Sequence, residues 1–204
     1  MDIYLIRHGE CCNVSIAFFD TEKNTMDPPL TEKGMRQAAK LADRCKGIGF
    51  DRIVSSDLSR ARQTAEQLKI ASSCDLSIDP SFREIDMGDI HTKPWEDYPE
   101  LYAKWRLHLE DLPYPNGENG EDVWNRCRIQ LARLLETQYK KIAIVCHGGT
   151  IRSILCGVLG IPQHKRFYLG FPLENCSITM IRYGESEKKF YLHTLNDFLH
   201  LHDL

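Results

Sequence analysis

The chain has 204 residues, 42% of them hydrophobic, and a formal net charge of −3 at neutral pH. This length is enough for one domain with a full hydrophobic core. The weak negative charge argues against a partner that is a nucleic acid or an anionic membrane. No apolar run approaches the ~18 residues of a membrane span, and residues 1–4 lack the pattern of a signal peptide, so we expect neither.

Strands and helices are predicted to alternate along the chain. Thr31 is predicted to cap a helix whose apolar stripe includes Met35, Ala39 and Leu41, and Asp57 to cap a second helix. The predicted strands span residues 3–6, 52–55, 76–78, 142–146, 177–183 and 190–195, and further helices span 122–139 and 149–159. This alternation predicts an α/β fold, a three-layer α/β/α sandwich with a mostly parallel central sheet, formed by residues 1–204 as a single domain.

Residues 81–120 interrupt this alternation, because they are rich in proline and glycine. We expect a lid or insertion over the edge of the sheet rather than a second core. Its aromatic residues Trp95, Tyr98, Tyr102 and Trp105 either line the substrate pocket or form the core of the lid itself, and we favour the second interpretation.

The eight cysteines do not form the pattern of a disulfide framework. Cys45, Cys127, Cys156 and Cys176 lie in predicted helices or strands, where a free cysteine behaves as a small apolar residue. The chain contains no Cys-x-x-Cys pair, which argues against zinc and thioredoxin-like sites. We therefore expect reduced thiols and a cytoplasmic protein.

Two histidine motifs follow two of the apolar strands. Arg7-His8-Gly9-Glu10 follows residues 3–6, and His147-Gly148-Gly149-Thr150 follows residues 142–146. Ligand sites of open α/β sheets lie at the carboxyl ends of the strands, so the two histidines meet in one pocket if these strands are neighbours. A neutral imidazole is able to attack phosphorus, and a neighbouring arginine matches phosphate oxygens, although a buried structural histidine would look the same.

Two further candidates lie between these motifs. Arg60 follows Ser55-Ser56 near a predicted helix start, where backbone N–H groups also favour an anion, whereas Arg62 is expected to be a solvated helix charge. Glu84 lies in a loop with apolar neighbours, where a carboxyl group could protonate a leaving oxygen or be an ordinary surface carboxylate.

As a set, these segments resemble the histidine phosphatase superfamily, which includes phosphoglycerate mutases and α-ribazole phosphatases. The resemblance spans nearly the whole chain and rests on Arg7-His8-Gly9-Glu10, residues 30–34, Ser55-Ser56 with Arg60, Glu84 with Gly88, His147-Gly148-Gly149 and Asn175-Cys176-Ser177. It implies a phosphoglycerate mutase-like fold and a reaction that proceeds through a phosphohistidine.

The resemblance also implies a role for each matched residue. His8 would be the nucleophile, Arg7, Arg60 and His147 would bind the phosphoryl oxygens, and Glu84 would be the general acid and base. Neither a metal nor a cofactor is implied. The family's pocket asparagine usually lies seven residues after the arginine, at Val14 here, so Asn13 is the candidate phosphate ligand one position earlier.

The activity implied is either a phosphatase or a mutase. The stretch after Glu84 contains Asp86 and Asp89, which disfavour a bisphosphate or a carboxylated triose, and the chain is compact. We therefore favour a metal-independent phosphomonoesterase that acts on a small phosphorylated metabolite, with α-ribazole phosphate as a candidate. A phosphoglycerate mutase-type phosphotransferase is the alternative.

Three other hypotheses remain open. Cys146 and Arg152 match the Cys-x5-Arg pattern of cysteine-dependent phosphatases, but that mechanism leaves His8, Arg60 and Glu84 without a role. A non-catalytic binder of phosphorylated ligands would not need a general acid. A metal site formed by His193, His200 and His202 is disfavoured by their irregular spacing.

Overall fold

The computed structural model describes residues 1–12, 16–23, 25–170 and 172–203. The strands of this part are β1 (Asp2–Arg7), β2 (Phe19–Asp20), β3 (Thr25–Met26), β4 (Arg52–Ser55), β5 (Leu76–Ile78), β6 (Lys141–Cys146), β7 (Ile178–Gly184) and β8 (Lys189–Asp197). Its α-helices are α1 (Glu32–Cys45), α2 (Ser59–Ser72), α3 (Pro99–Trp105), α4 (Gly120–Leu135) and α5 (Gly148–Leu159). No described helix is both long and apolar enough to cross a membrane.

Six strands form one sheet in the order β5-β4-β6-β1-β7-β8, and β2 and β3 form a separate short hairpin. β1, β4, β5 and β6 run parallel, whereas at one edge β7 pairs antiparallel with β1 and β8 pairs antiparallel with β7. The predicted α/β fold with a mostly parallel central sheet is therefore confirmed. The predicted strands agree with the observed ones to within two residues at each end.

The side chains of β6 alternate between two hydrophobic cores, one on each face of the sheet. Ile142 and Ile144 pack with residues of α4 and α5, while Ala143 and Val145 pack with residues of α1 and α2. This alternation follows from the two-residue period of a strand. All four side chains are fully buried, as expected for a central strand that is covered on both faces.

β1 and β6 are hydrogen-bonded neighbours in parallel register, with Arg7 opposite Cys146. His8 and His147 therefore follow at the same carboxyl edge, and the backbone N–H of His8 donates to the carbonyl of Cys146 at 3.0 Å. The strands before the two histidine motifs are thus neighbours, which was the condition for His8 and His147 to lie in one pocket.

The predicted helix start is confirmed for α1 and is wrong for α2. Thr31 caps α1 as predicted, because its hydroxyl accepts the N–H of Gly34. Asp57 does not cap α2: the N-cap is Leu58, without a side-chain hydrogen bond, and Asp57 instead forms a bidentate ion pair with Arg83 at 2.8 and 2.5 Å. That pair offers the carboxylate two charged donors, which outweigh one backbone N–H.

Two further corrections concern helix faces and lengths. Met35 and Ala39, which were placed on the buried stripe of α1, are exposed. The helix predicted at 122–139 spans Gly120–Leu135. It starts earlier than predicted because Asn119 and Asp122 form a capping box at its N-terminus.

The segment 81–120 contains short 3₁₀ turns and α3. The ring of Trp95 lies 4.9 Å from Tyr102, 5.4 Å from Trp105 and 5.9 Å from Tyr114, centroid to centroid. These rings pack on one another, and none of them is among the described lining residues of the cavity beside His8. Tyr98 is separate, and its hydroxyl donates to Asp89 at 2.5 Å.

Candidate functional site

His8 lies at the carboxyl end of β1 and is 5% exposed. Its Nδ1 is 2.7 Å from the carbonyl oxygen of Gly9, which can only accept, so Nδ1 carries the hydrogen. Nε2 therefore holds a lone pair, and it accepts a hydrogen bond from Nε of Arg60 at 3.3 Å. Burial and the charges of Arg60 and Arg7 hold the pKa of His8 well below its ordinary value of 6.5. The ring is neutral and has the tautomer that a nucleophile requires.

The backbone of His8 is fixed by the other end of the chain. The side-chain amide of Asn175 donates to the carbonyl of His8 at 3.0 Å, and the N–H of Cys176 donates to the same oxygen at 3.2 Å. The segment around Asn175-Cys176-Ser177, which the resemblance singled out, therefore supports the first histidine motif.

Two arginines provide positive charge beside His8. Arg60 is 7% exposed and its Nη1 donates to the carbonyl of Met26 at 3.1 Å, which aims its Nε at the imidazole. Arg7 donates through Nη1 to the carbonyl of Leu173, and its buried Nε has no hydrogen-bond partner among the described residues. A buried guanidinium N–H without a partner is costly, so this donor is available to an anion.

His147 is the N-cap residue of α5 and is fully buried. Its ring lies 5.0 Å from that of His8, centroid to centroid. Its Nε2 is 2.9 Å from the hydroxyl of Ser56, and its Nδ1 has no partner in the described part of the chain. Burial, followed by the charge of Arg60, keeps the pKa of His147 well below 6.5, so this ring is also neutral.

Glu84 is held by the N-terminus of α5. Its Oε1 accepts the N–H of Ile85 at 3.0 Å and of Thr150 at 3.2 Å, and its Oε2 accepts the N–H of Gly149 at 3.3 Å. Backbone donors at a helix start orient a carboxylate. The fit requires a glycine, because a Cβ at Gly149 would lie 2.5 Å from Oε1 of Glu84.

Arg126 and Glu118 hold the loop that carries Glu84, and neither role was predicted from the sequence. Arg126 on α4 donates to the carbonyls of Ser81, Arg83 and Glu84 at 2.6 to 3.2 Å. Glu118 binds the same guanidinium at 2.8 and 3.0 Å. No spacing in the sequence shows that a helix reaches back to this loop.

A cavity of about 380 Å³ opens at these residues. Its described lining residues are Arg7, His8, Cys11, Thr25, Met26, Arg60, Glu84, Ile85, Met87, Ile90 and His91. The structure thus brings together five of the six predicted site residues, counting His147, whose ring lies 5.0 Å from that of His8. Asn13 lies outside the described residues. Arg62 is exposed, as expected for a solvated helix charge.

The surroundings of Cys146 argue against a cysteine nucleophile. Cys146 is fully buried in β6 as part of a hydrophobic core, and burial raises the pKa of its thiol well above 9. A thiolate nucleophile needs the opposite shift. Among the described residues, which include His193, His200 and His202, no group of three or more histidine, cysteine or carboxylate side chains is placed to hold a metal ion.

The sequence model of the family described as "Histidine phosphatase superfamily (branch 1)" matches residues 3–197. The chain belongs to the histidine phosphatase superfamily. A protein of Escherichia fergusonii named "Probable phosphoglycerate mutase GpmB" is 34% identical, with 98% of this chain and 95% of that protein covered.

Solved structures of this superfamily include phosphatases. The alpha-ribazole phosphatase of Shigella flexneri matches with a TM-score of 0.79 and 27% identity, over 97% of each chain. A mycobacterial glucosyl-3-phosphoglycerate phosphatase in complex with VO3 matches with a TM-score of 0.80 and 26% identity, over 96% of this chain and 98% of that one. The superfamily and its fold are therefore shown, and the neighbours support phosphomonoesterase activity.

Proposed function

We propose that the protein hydrolyses a small-molecule phosphate monoester, without a metal, through a phosphohistidine at His8. One observation carries the proposal: the Nδ1 contact with Gly9 leaves the Nε2 lone pair of a neutral, buried imidazole beside Arg60. A histidine with only a structural role would not require a buried arginine that donates to its Nε2.

In the first step, Nε2 of His8 attacks phosphorus, and the bond between phosphorus and the ester oxygen breaks. Glu84 in its protonated form donates its proton to the departing oxygen, which leaves as an alcohol. In the second step, the carboxylate of Glu84 takes a proton from water, the oxygen attacks phosphorus, and the bond to Nε2 breaks. Inorganic phosphate leaves and His8 is neutral again.

Positive charge and hydrogen-bond donors stabilise the transferring group. Arg7 and Arg60 supply guanidinium groups that match phosphoryl oxygens. His147 supplies a third donor if its hydrogen is on Nδ1. These groups are already in place and buried, so little reorganisation is needed as charge moves onto the equatorial oxygens. The same arrangement supplies the charge that a metal supplies in other phosphoryl transfer enzymes.

A mutase is the second candidate, and the 34% identity to the protein named phosphoglycerate mutase favours it. Both activities use the same phosphohistidine, but a mutase returns the phosphoryl group to a second hydroxyl instead of to water. Alpha-ribazole phosphate is the candidate substrate of the phosphatase, supported by the structural match to the Shigella flexneri enzyme.

A cytoplasmic location fits the same proposal. All eight cysteines are free thiols in the structure. Free thiols are typical of a reducing compartment, in which small phosphorylated metabolites are also found.

Rapid-quench labelling tests the mechanism. The protein is mixed with a ³²P-labelled phosphate ester, stopped on the millisecond scale, and the label is treated with acid and with base. We expect a label that is lost in acid, kept in base and absent from His8→Ala. The matched control is Cys146→Ser, which should label normally. A label that persists in His8→Ala would place the nucleophile elsewhere and overturn the proposal.

A further inference from the structure

We propose that the cavity selects phosphate esters of uncharged, largely apolar alcohols and disfavours those whose leaving group carries a carboxylate or a second phosphate. This inference rests on the proposed phosphatase function and names its substrate class. It follows from the way charge is distributed over the wall of the cavity.

Positive charge is confined to one end of the cavity. Among its described lining residues the arginines are Arg7 and Arg60, and both lie at His8. Nε of Arg60 contacts the imidazole of His8, and Nε of Arg7 lies beside Gly148 at the start of α5, 3.6 Å from where a Cβ would stand. These two cations are thus placed for the phosphoryl group itself.

The remaining described wall is mostly apolar. It is formed by Met26 of β3, Ile85 beside the general acid, and Met87 and Ile90 from the turn at the start of the lid. Thr25 and His91 add a hydroxyl and an imidazole, which suit a hydroxyl group of a substrate. A cavity of about 380 Å³ lies at the small end of the range for ligand sites, roughly 300–1,000 Å³.

The cations around this wall are engaged by carboxylates. Lys23 lies 3.0 Å from Asp20 and 2.6 Å from Asp27. Lys93 lies 2.8 Å from Asp89. On the far side of Glu84, Arg83 and Arg126 form the ion pairs with Asp57 and Glu118 already described.

The side chain of His91 also lies beside a carboxylate. Its Nε2 is 3.3 Å from Oδ1 of Asp86, and this contact helps to keep the pKa of Asp86 below its usual value. Nε2 of His91 also lies 3.3 Å from the backbone nitrogen of Met87, so its surroundings already include a carboxylate and a backbone donor. A second negative charge on the substrate would be desolvated at this wall without a new counterion, which is unfavourable.

A matched series of alkyl phosphates tests the inference. Pentyl phosphate, glycerol 3-phosphate and 3-phosphoglycerate are all esters of primary alcohols, so differences in kcat/KM report mainly on how the cavity binds the rest of the leaving group. We expect kcat/KM for pentyl phosphate to exceed that for 3-phosphoglycerate by about tenfold or more, with glycerol 3-phosphate between them. Equal values, or a preference for 3-phosphoglycerate, would overturn the inference.

A variant that adds a positive charge to the apolar wall provides a second test. Met87→Lys places a cation on the apolar wall and should raise kcat/KM for 3-phosphoglycerate relative to pentyl phosphate by about tenfold. Met87→Leu controls for the loss of methionine. Met35→Lys, on the exposed face of α1, adds the same charge outside the cavity and should leave the ratio unchanged. If Met87→Lys leaves the ratio of kcat/KM for 3-phosphoglycerate to that for pentyl phosphate unchanged, the inference is contradicted.

The two proposals fail in different ways. If wild-type protein neither turns over any of the three esters nor forms the label at His8, the phosphatase function itself is wrong. If all three esters label His8 and turn over without the expected preference, only the substrate class is wrong.

Discussion

The hydroxyl of Ser56 lies 2.9 Å from Nε2 of His147 and also accepts the backbone N–H of Leu58 at 3.3 Å. Because the oxygen already accepts one hydrogen bond, its own hydrogen is free to point at Nε2. His147 then carries its hydrogen on Nδ1, the ring nitrogen that has no partner in the described residues. We therefore predict that Ser56 donates to Nε2 and positions His147 as a donor through Nδ1.

Ser56→Ala should lower kcat by about 10- to 100-fold with a smaller effect on KM, since the donor tautomer of His147 is no longer enforced. Ser153→Ala is the matched control, because Ser153 is also fully buried and its hydroxyl has no described partner. Steady-state kinetics and urea midpoints of both variants separate the effect on His147 from a loss of folding. Equal losses of kcat in the two variants would rule out the tautomer argument.

Glu84→Gln should have an effect that depends on the leaving group. We expect turnover of an alkyl phosphate to fall by about 10²- to 10⁴-fold, because an alkoxide leaves poorly without a proton. Turnover of p-nitrophenyl phosphate should fall much less, since nitrophenolate needs no proton to leave. The measurement is kcat for both esters, and a similar loss on both would argue against Glu84 as the acid.

The sequence was informative where one strand or one motif defines the position of a residue. The apolar runs before His8 and His147 predicted both strands, and the parallel sheet then placed both histidines at one edge. The positions of Arg126 and Asp57 could not be predicted, because each depends on a partner from another element. A capping residue and an ion-pairing residue look alike in sequence, and only the approach of Arg83 decides between them for Asp57.

Gly149→Ala should impair catalysis, because the added Cβ would lie 2.5 Å from Oε1 of Glu84 and force the carboxylate away from α5. Gly148→Ala is the comparison: its Cβ would approach Arg7 no closer than 3.6 Å, which is an ordinary contact. We expect kcat for an alkyl phosphate to fall by about tenfold or more in Gly149→Ala, and clearly less in Gly148→Ala. The reverse order would show that Glu84 does not need its present position.

Acid should destabilise the fold through His8 and His147. Their folded-state pKa values lie well below 6.5, whereas in the unfolded chain each histidine takes up a proton near pH 6.5. The unfolded state therefore binds more protons below that pH, and the free energy of unfolding falls there by up to about 1.4 kcal/mol per pH unit for each histidine. Above about pH 7 these groups should contribute no slope.

Urea unfolding of wild type and of His147→Gln, at about pH 7, 6 and 5, measures this dependence. The variant should lose stability less steeply between pH 6 and 5, whatever its stability at pH 7. Identical slopes in the two proteins would mean that His147 takes up a proton as readily in the folded state as in the unfolded state, contrary to the prediction. Comparing slopes removes the contribution of carboxylates, because the two proteins share them.

Cys146→Ser should retain most of the activity, since the thiol lies in the hydrophobic core and plays no part in the proposed reaction. The buried hydroxyl should lower the free energy of unfolding by about 1–3 kcal/mol. Activity assays below the unfolding midpoint, together with that midpoint, check both expectations. A folded but inactive Cys146→Ser protein would revive the cysteine mechanism.

The position of β1 in the sheet has a consequence for protein synthesis. Ile3 pairs with Ile142 on one side and Ile181 on the other, so β1 is completed by two strands that are translated much later. At about 5–20 residues per second, the ribosome needs roughly ten seconds or more to supply both partners. During that time the apolar residues of β1 are without their native cover, and nascent chains that end before β6 also lack His147. We expect this interval to be the period of greatest exposure to chaperones and to aggregation.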